Sequence, residues 1–193
     1  MLKETDYQRA ANTLGVTVPH IKAFAEVESN GDGFLPTGEV KILFERHVFY
    51  RQLVTNKGKS FADTVAKNDP DICNKTPGGY GKLSQQHPKL QRAVTIHRQS
   101  ALESCSWGAF QVMGFHWKLL GYESVQGLVN AAYTEQGQLE LVVRFLQVNP
   151  GIVTALRNNA WATVAKLYNG SNFSANSYDT KLHNAYIKFG GKA

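Results

Sequence analysis

A glutamate on the apolar side of a short helix is the residue in this sequence best suited to acid catalysis. The i, i+3, i+4, i+7 spacing that places side chains on one helix face is followed by Ile21, Phe24, Ala25 and Glu28. A carboxyl group held against hydrocarbon keeps its proton to a higher pH, because burial penalises the charged form. We therefore predict that Glu28 is a general acid and that Glu26 faces water. The alternative is that Glu28 is a solvated or ion-paired residue at a helix end.

Two later segments carry polar groups in apolar surroundings. In Ser106-Trp-Gly-Ala-Phe-Gln-Val-Met-Gly114, glycines flank an apolar run that holds one amide, Gln111. We interpret this run as a buried helix start where small residues allow close backbone approach. The second segment, Ala165-Lys-Leu-Tyr-Asn-Gly170, continues a helical apolar pattern and ends at a glycine suited to a helix C-cap. Each segment alone is also consistent with ordinary packing.

Taken in order, the three segments resemble the lysozyme-like fold of goose-type lysozymes and soluble lytic transglycosylases. In that fold a Glu-Ser pair ends the catalytic helix, a Gly-Leu-Met-Gln-like turn lines the sugar cleft, and an Ala-Tyr-Asn segment closes it. The matching residues here are Glu28-Ser29, Gly108-Ala-Phe-Gln111 and Leu167-Tyr-Asn169. The last two depart from the family pattern, so the resemblance rests on the order and spacing of all three.

The sequence resembles more closely the N-acetylmuramidase domain of bacteriophage endolysins. Three blocks carry this resemblance, which extends from about Gly15 to the end: Glu26–Phe34, Leu43–Tyr50 and Ser106–Gly114. It implies a mainly α (α+β lysozyme-like) fold, a helical bundle with one small β-hairpin beside a substrate cleft. It also implies a single catalytic domain over 1–193, with no separate cell-wall-binding module. The expected reaction is hydrolysis of the β-1,4 bond between N-acetylmuramic acid and N-acetylglucosamine in peptidoglycan.

The resemblance also selects a second carboxylate, since glycosidic cleavage commonly uses two. Glu45 is the first candidate for this second carboxylate because it lies in the second block. Its neighbours Arg46 and His47 would favour its ionised form. As a base it would give inversion, with the two carboxyl groups roughly 6.5 to 9.5 Å apart. The alternative is a helix-start carboxylate stabilised by the macrodipole. Asp32 and Glu39 are reserve candidates.

Five further residues are expected to bind substrate or to position the acid: Ser29, Tyr80, Gln111, Tyr168 and Asn169. The resemblance implies that the Gln111 amide bonds a sugar or anchors the cleft wall. Tyr168 and Asn169 would orient substrate or hold Glu28. Ser29 would cap or orient the neighbouring backbone. Tyr80 and Trp107 would stack on sugar rings, the alternative being that both aromatic rings pack within the protein.

Periodicity and breaker residues predict a largely helical chain. The predicted hairpin is 34–44 and the predicted loop 69–81. Predicted helices are 4–14, Val18–Glu28, Glu45–Val54, Pro88–Ala101, Phe115–Leu120, Val125–Tyr133, Glu135–Val148, Pro150–Asn158, Trp161–Asn169 and Thr180–Phe189.

Composition and sequence patterns indicate where the protein is made and whether it needs disulfides or metals. The 193 residues contain no apolar run as long as a membrane span and begin without a secretory signal pattern. We therefore expect synthesis in the host cytoplasm and action on the cell wall after release. Cys73 and Cys105 are expected to be reduced thiols. The six histidines show no zinc spacing, so no metal or cofactor is expected.

The net charge of +6 bears on partners beyond peptidoglycan. Five basic residues and no acids lie within 75–98, and five basic residues against Asp179 alone lie within 157–193. The C-terminal helix is expected to dock on the core, and a further hypothesis is that it contacts anionic outer-membrane lipid. No basic helix-turn-helix is seen, so we expect no nucleic acid partner, and we expect a monomer. A lytic transglycosylase and a non-catalytic cell-wall-binding module are the competing functions.

Overall fold

Ten α-helices and three short strands lie within residues 1–29, 32–170 and 176–192, which the computed structural model describes. The helices are α1 (Glu4–Leu14), α2 (Val18–Glu28), α3 (Arg46–Lys57), α4 (Lys59–Asn68), α5 (Gln86–Glu103), α6 (Val125–Ala132), α7 (Glu135–Gln147), α8 (Pro150–Arg157), α9 (Trp161–Asn169) and α10 (Tyr178–Lys188). The strands are β1 (Ile42–Phe44), β2 (Cys105–Trp107) and β3 (Val112–Met113). Single 3₁₀ turns occupy Leu83–Gln85 and Gly114–His116. The predicted mainly helical class is confirmed.

Helix α2 has the bounds predicted from the sequence. Its first turn carries Pro19, where the missing N–H does no harm, and His20 Nδ1 accepts from the Thr17 backbone N–H at 3.2 Å. Ile21 and Phe24 are buried on the core side. The helix stops because Ser29 is extended (φ −74°, ψ 125°), which leaves Glu28 as the last helical residue. Asn30 and Gly31, within the first of the three family blocks, lie outside the described residues.

The β structure differs from the prediction of one hairpin over 34–44. That segment holds an isolated bridge between Phe34 and Val40, and its last three residues form strand β1, which pairs elsewhere. The sheet is three-stranded and antiparallel: β1 pairs with β2, Ile42 opposite Trp107 and Phe44 opposite Cys105, and β2 pairs with β3. The interpretation of 106–114 as a helix start is wrong, because this stretch forms the hairpin. Strands of two and three residues are too short to show the alternation that identifies a strand.

Three helix predictions also need correction. Helix α4, buried through Ala62 and Val65, was not predicted. Helix α5 is longer than expected and is interrupted at His97, whose φ of −157° and ψ of 102° are not helical. The segment Phe115–Leu120 is not an α-helix but a 3₁₀ turn followed by further turns.

Trp107 lies in the main hydrophobic core, which joins the sheet to the helices around it. Its side chain is 2% exposed and its indole N–H donates to the Leu102 carbonyl at 3.2 Å. A ring enclosed in this way has no face for a sugar, so the stacking role considered for Trp107 is wrong. Cys73 and Cys105 are buried free thiols, as predicted. Burial raises the pKa of the Cys73 thiol to about 11.

Helix α10 packs against α2, as predicted for a docked C-terminal helix. Leu182, Ala185 and Tyr186 are buried, and the Tyr186 ring lies 4.5 Å from the ring of His20. Lys188 pairs with Glu26 at 2.6 Å, so Glu26 faces outward as predicted. The helix that ends at Glu28 is therefore supported along its length.

Among the described residues, no single helix is long and apolar enough to span a membrane. Only α7 and α8 taken together reach the length and composition of a span, and the two helices are bent by 97° where they meet.

Candidate active site

Glu28 lies at the end of α2 with its carboxyl group half-buried. Both carboxyl oxygens accept from the Asn169 side-chain amide, Oε1 at 2.9 Å and Oε2 at 3.1 Å. Burial raises the pKa of Glu28 from its ordinary 4.5 to about 7, although the Asn169 hydrogen bond acts in the opposite direction. A carboxyl group with this pKa is partly protonated at neutral pH, which suits it to general acid catalysis.

The end of α9 supplies Asn169 and the aromatic residue before it. The Tyr168 ring meets Phe24 edge-on at 4.9 Å and Phe145 at 5.9 Å, while its hydroxyl makes a long 3.5 Å contact to the Phe110 carbonyl. Burial, together with the nearby Glu28 charge, raises the pKa of Tyr168 far above its ordinary value, so the phenol stays protonated. The helix ends at Gly170, which has a positive φ of 81°. Tyr168 thus joins α9 to α2 and fixes where Asn169 meets Glu28.

Gln111 lies in the tight turn between β2 and β3. Its side-chain Oε1 accepts from the Ser106 hydroxyl at 2.7 Å, and its Nε2 donates to the Gly108 carbonyl at 2.7 Å. Gln111 itself has φ +50°, a left-handed conformation that costs a non-glycine residue on the order of 1 kcal/mol. These bonds secure the turn, and they leave one N–H and one lone pair of the amide for a sugar.

A cavity of about 220 Å³ lies beside this turn. Its lining comprises Phe110, Gln111, Val112, Met113, His116, Phe145 and Tyr168. The sequence did not indicate His116 or Phe145, whose rings are 5.6 Å apart. Burial lowers the pKa of His116, so its imidazole is neutral at pH 7 and able both to donate and to accept a hydrogen bond.

A larger cavity of about 860 Å³ lies along another face of α2. Ser29 lines it, and the Ser29 backbone N–H closes the last helical turn by donating to Ala25 O at 3.1 Å. Phe110 lines both cavities. Glu28 lines neither, but its neighbour Ser29 borders the larger cavity and Tyr168, next to its partner Asn169, borders the smaller. Each cavity is therefore lined by a chain neighbour of Glu28 or of Asn169. The burial of Glu28 and its hydrogen bonds to Asn169, and not the size of a cavity, mark it as the candidate acid.

Glu45 and Tyr80 lie at the other end of the small sheet. Glu45 directly follows β1, donates its backbone N–H to Ser104 O at 3.0 Å, and has a side chain 20% exposed. Its Oε2 is 3.5 Å from His47 Nδ1, while Arg46 donates to the Pro77 carbonyl at 3.3 Å. The Tyr80 carbonyl accepts from the side chains of Gln86 and Lys89, each at 2.7 Å. Ile42 lies opposite Trp107, which enters the Gln111 turn, and Glu45 lies three residues further along the chain.

Comparisons with known proteins identify the fold and the family. A family model described as N-acetylmuramidase matches residues 17–190. The chain belongs to the N-acetylmuramidase family. The muramidase is also similar to the crystal structure of the Burkholderia AP3 phage endolysin, with 43% sequence identity and a TM-score of 0.92 over 97% of this chain and 71% of the other. A comparison with curated proteins finds no match.

These findings confirm the resemblance inferred from the three sequence blocks. The muramidase is a lysozyme-type glycoside hydrolase and its substrate is peptidoglycan. Of its predicted site residues, Glu28, Asn169, Tyr168 and Gln111 come together. The contacts of Glu45 and Tyr80 described above are with other residues, His47 for Glu45 and Gln86 and Lys89 for Tyr80. Among the described residues, no three His, Cys, Asp or Glu side chains are grouped so as to hold a metal ion.

Proposed function

We propose that this muramidase cleaves the β-1,4 bond between N-acetylmuramic acid and N-acetylglucosamine with Glu28 as the general acid. The observation that carries the proposal is a half-buried carboxyl group at a helix end, with its pKa raised to about 7 and both oxygens held by Asn169. The cavities lined by Ser29 and by Tyr168 offer space for a glycan chain. A protonated Glu28 gives its proton to the glycosidic oxygen as that oxygen leaves the anomeric carbon.

Asn169 has two roles in this scheme. Its amide fixes the direction of the Glu28 carboxyl group before the reaction. After the proton has been transferred, the same N–H bonds stabilise the carboxylate, because hydrogen bonds to a charged form favour that form. Tyr168, which stays protonated, contributes by packing and not by proton transfer.

For the second carboxylate we propose Glu45, acting as the base that activates water. Glu45 directly follows β1, and its Oε2 lies 3.5 Å from His47 Nδ1. An inverting enzyme needs its base roughly 6.5 to 9.5 Å from the acid, so that a water molecule fits between the two carboxyl groups. The bond would then break by a single displacement with inversion at the anomeric carbon.

Analysis of the digestion products tests the reaction type. Mass spectrometry of purified peptidoglycan treated with the enzyme is expected to show fragments that end in reducing N-acetylmuramic acid. A lytic transglycosylase uses one acid and the muramyl hydroxyl, and would give 1,6-anhydro ends instead. If no glycan fragments were released, a non-catalytic cell-wall-binding module would be the better description.

For partners other than peptidoglycan, we propose a monomer that meets anionic outer-membrane surfaces by charge alone. The apolar face of α10 is buried against α2, so it is not free to enter lipid, whereas Lys181 is exposed. The intact protein should co-sediment with anionic vesicles at low salt and be released at high salt, because exposed charges are screened. Equal binding to zwitterionic vesicles would contradict this contact. A dimer mass in sedimentation analysis would contradict the monomer.

A further inference from the structure

A buried glutamine on α7 connects the two loops that border the larger cavity. Gln138 is 3% exposed, and a polar group removed from water needs hydrogen-bond partners. Its Oε1 accepts from the Ala109 backbone N–H at 2.8 Å. Its Nε2 donates to the Ala132 carbonyl at 2.8 Å and to the Gly33 carbonyl at 3.2 Å. Both hydrogens of the amide group are therefore used.

Two of these three partners belong to the surroundings of Glu28. Gly33 lies in the loop that follows the Glu28 helix, and Ala109 precedes Phe110 in the turn that Tyr168 contacts. Gly33, Ala109 and Gln138 all line the larger cavity. The backbone of Lys41 connects the same two loops. Its N–H donates to the Gly33 carbonyl at 2.9 Å, and its carbonyl accepts from the Gly108 N–H at 2.8 Å. The spacing of the two loops is thus set by the backbone of Lys41, just before β1, and by the side chain of Gln138.

Two glycines allow the Gln138 amide to come this close. A Cβ atom at Gly33 would lie 1.8 Å from Gln138 Oε1, and one at Gly108 would lie 2.6 Å from its Cδ. Real Cβ atoms do not approach other atoms so closely, so any side chain at either position would push the amide or the loop away. Gly108 also has a positive φ of 70°, which favours glycine independently.

We propose that Gln138 is a positioning residue for glycan hydrolysis, which holds the Gly33 loop and the Ala109 turn at the spacing that brings the scissile bond to Glu28. This inference rests on the proposed role of Glu28. Gln138 does not touch the reacting atoms. It acts through the two loops, and small displacements of bound substrate are enough to lower kcat strongly.

Three substitutions test the role. Gln138→Met keeps the length of the side chain but makes none of the three bonds. Gln138→Glu retains an acceptor for Ala109 but cannot donate to Gly33 and Ala132 when ionised. Gly33→Ala retains Gln138 but introduces a methyl group that pushes the loop and the Gln138 amide apart, so it remains informative if the Gln138 variants fail to fold. Gln147→Met, at an exposed position of the same helix, is the matched control.

The readout is kcat and KM on soluble peptidoglycan glycans of defined length, with circular dichroism to establish folding. Folded Gln138→Met and Gly33→Ala are each expected to lose on the order of tenfold to a hundredfold in kcat. Gln138→Glu should be impaired like Gln138→Met, and Gln147→Met should match the parent. Because both changes move the same loop, the Gly33→Ala/Gln138→Met double variant should lose less than the product of the two single losses.

The proposal is overturned if folded Gln138→Met keeps the parent kcat, or if the two single losses multiply. A structural role alone would lower the unfolding midpoint without lowering the kcat of the folded enzyme. Glu28→Gln in the same assay separates the two proposals. An active Glu28→Gln would remove the proposed function itself, whereas an inactive Glu28→Gln beside a fully active Gln138→Met would remove only this inference.

Discussion

Glu28→Gln should lower kcat by about 10²- to 10⁴-fold, the usual contribution of a general acid. Glutamine keeps the size of the side chain and an oxygen that accepts from Asn169, but it has no proton to give to the leaving oxygen. The assay is release of reducing ends from soluble glycan chains. Glu140→Gln is the matched control, because Glu140 is an exposed acid on α7 that makes a surface ion pair with Arg144 and lines neither cavity. Parent-like kcat in Glu28→Gln would refute the assignment.

The same variant should alter how stability depends on pH. The pKa of Glu28 is about 7 in the folded protein against an ordinary 4.5, so between these values the folded state holds a proton that the unfolded state has lost. The stabilisation from Glu28 is therefore full below pH 4.5 and is lost as pH rises through 7. Glu28→Gln should gain stability relative to the parent from pH 4 to pH 8, by at most about 3 kcal/mol. Urea unfolding at both pH values measures this gain, and an equal difference at the two would count against it.

Glu45→Gln is expected to have the second largest effect, a fall in kcat of about 10²-fold or more, since a general base contributes in the same range as an acid. The loss follows from the proposal that Glu45 activates the attacking water. Glu123→Gln, an exposed acid on the loop before α6, serves as the control and should leave kcat unchanged.

The configuration of the first product bears on the same residue. Single displacement of a β bond gives the α anomer of N-acetylmuramic acid, which rapid proton NMR detects before mutarotation. A β product would exclude Glu45 as the base of an inverting reaction. Parent activity in Glu45→Gln would exclude Glu45 as the base and make Asp32, which lines the larger cavity together with Ser29, the next candidate.

The sequence predicted the elements whose signals are local. Helix α2 was placed correctly because Pro19, its apolar spacing and the following break all act within eleven residues. The end of α9 was equally clear from the Tyr168–Gly170 stretch. These two helix ends meet at the Glu28–Asn169 hydrogen bonds, which the family resemblance, and not the spacing, indicated as a pair.

Features that depend on contacts between distant parts of the chain could not be predicted from local sequence signals. The β2–β3 hairpin consists of strands too short for a period to emerge, and Gln111 adopts a positive φ that its residue type does not suggest. Gln138 contacts Gly33 across 105 positions, and nothing around Gln138 in the sequence marks it as buried. His116 and Phe145 likewise gain their place beside the turn only from the packing of α7 against it.

Direct titration of the Glu28 carboxyl group tests the central claim most closely. In protein labelled with ¹³C at the glutamate side-chain carboxyl carbon, the Glu28 signal is assigned as the resonance missing from Glu28→Gln, and its chemical shift is followed from pH 3 to pH 9. A midpoint near 7 is expected if Glu28 is the proton donor. A midpoint near the ordinary 4.5 would mean that the carboxyl group is ionised at neutral pH, and would contradict its role as the proton donor.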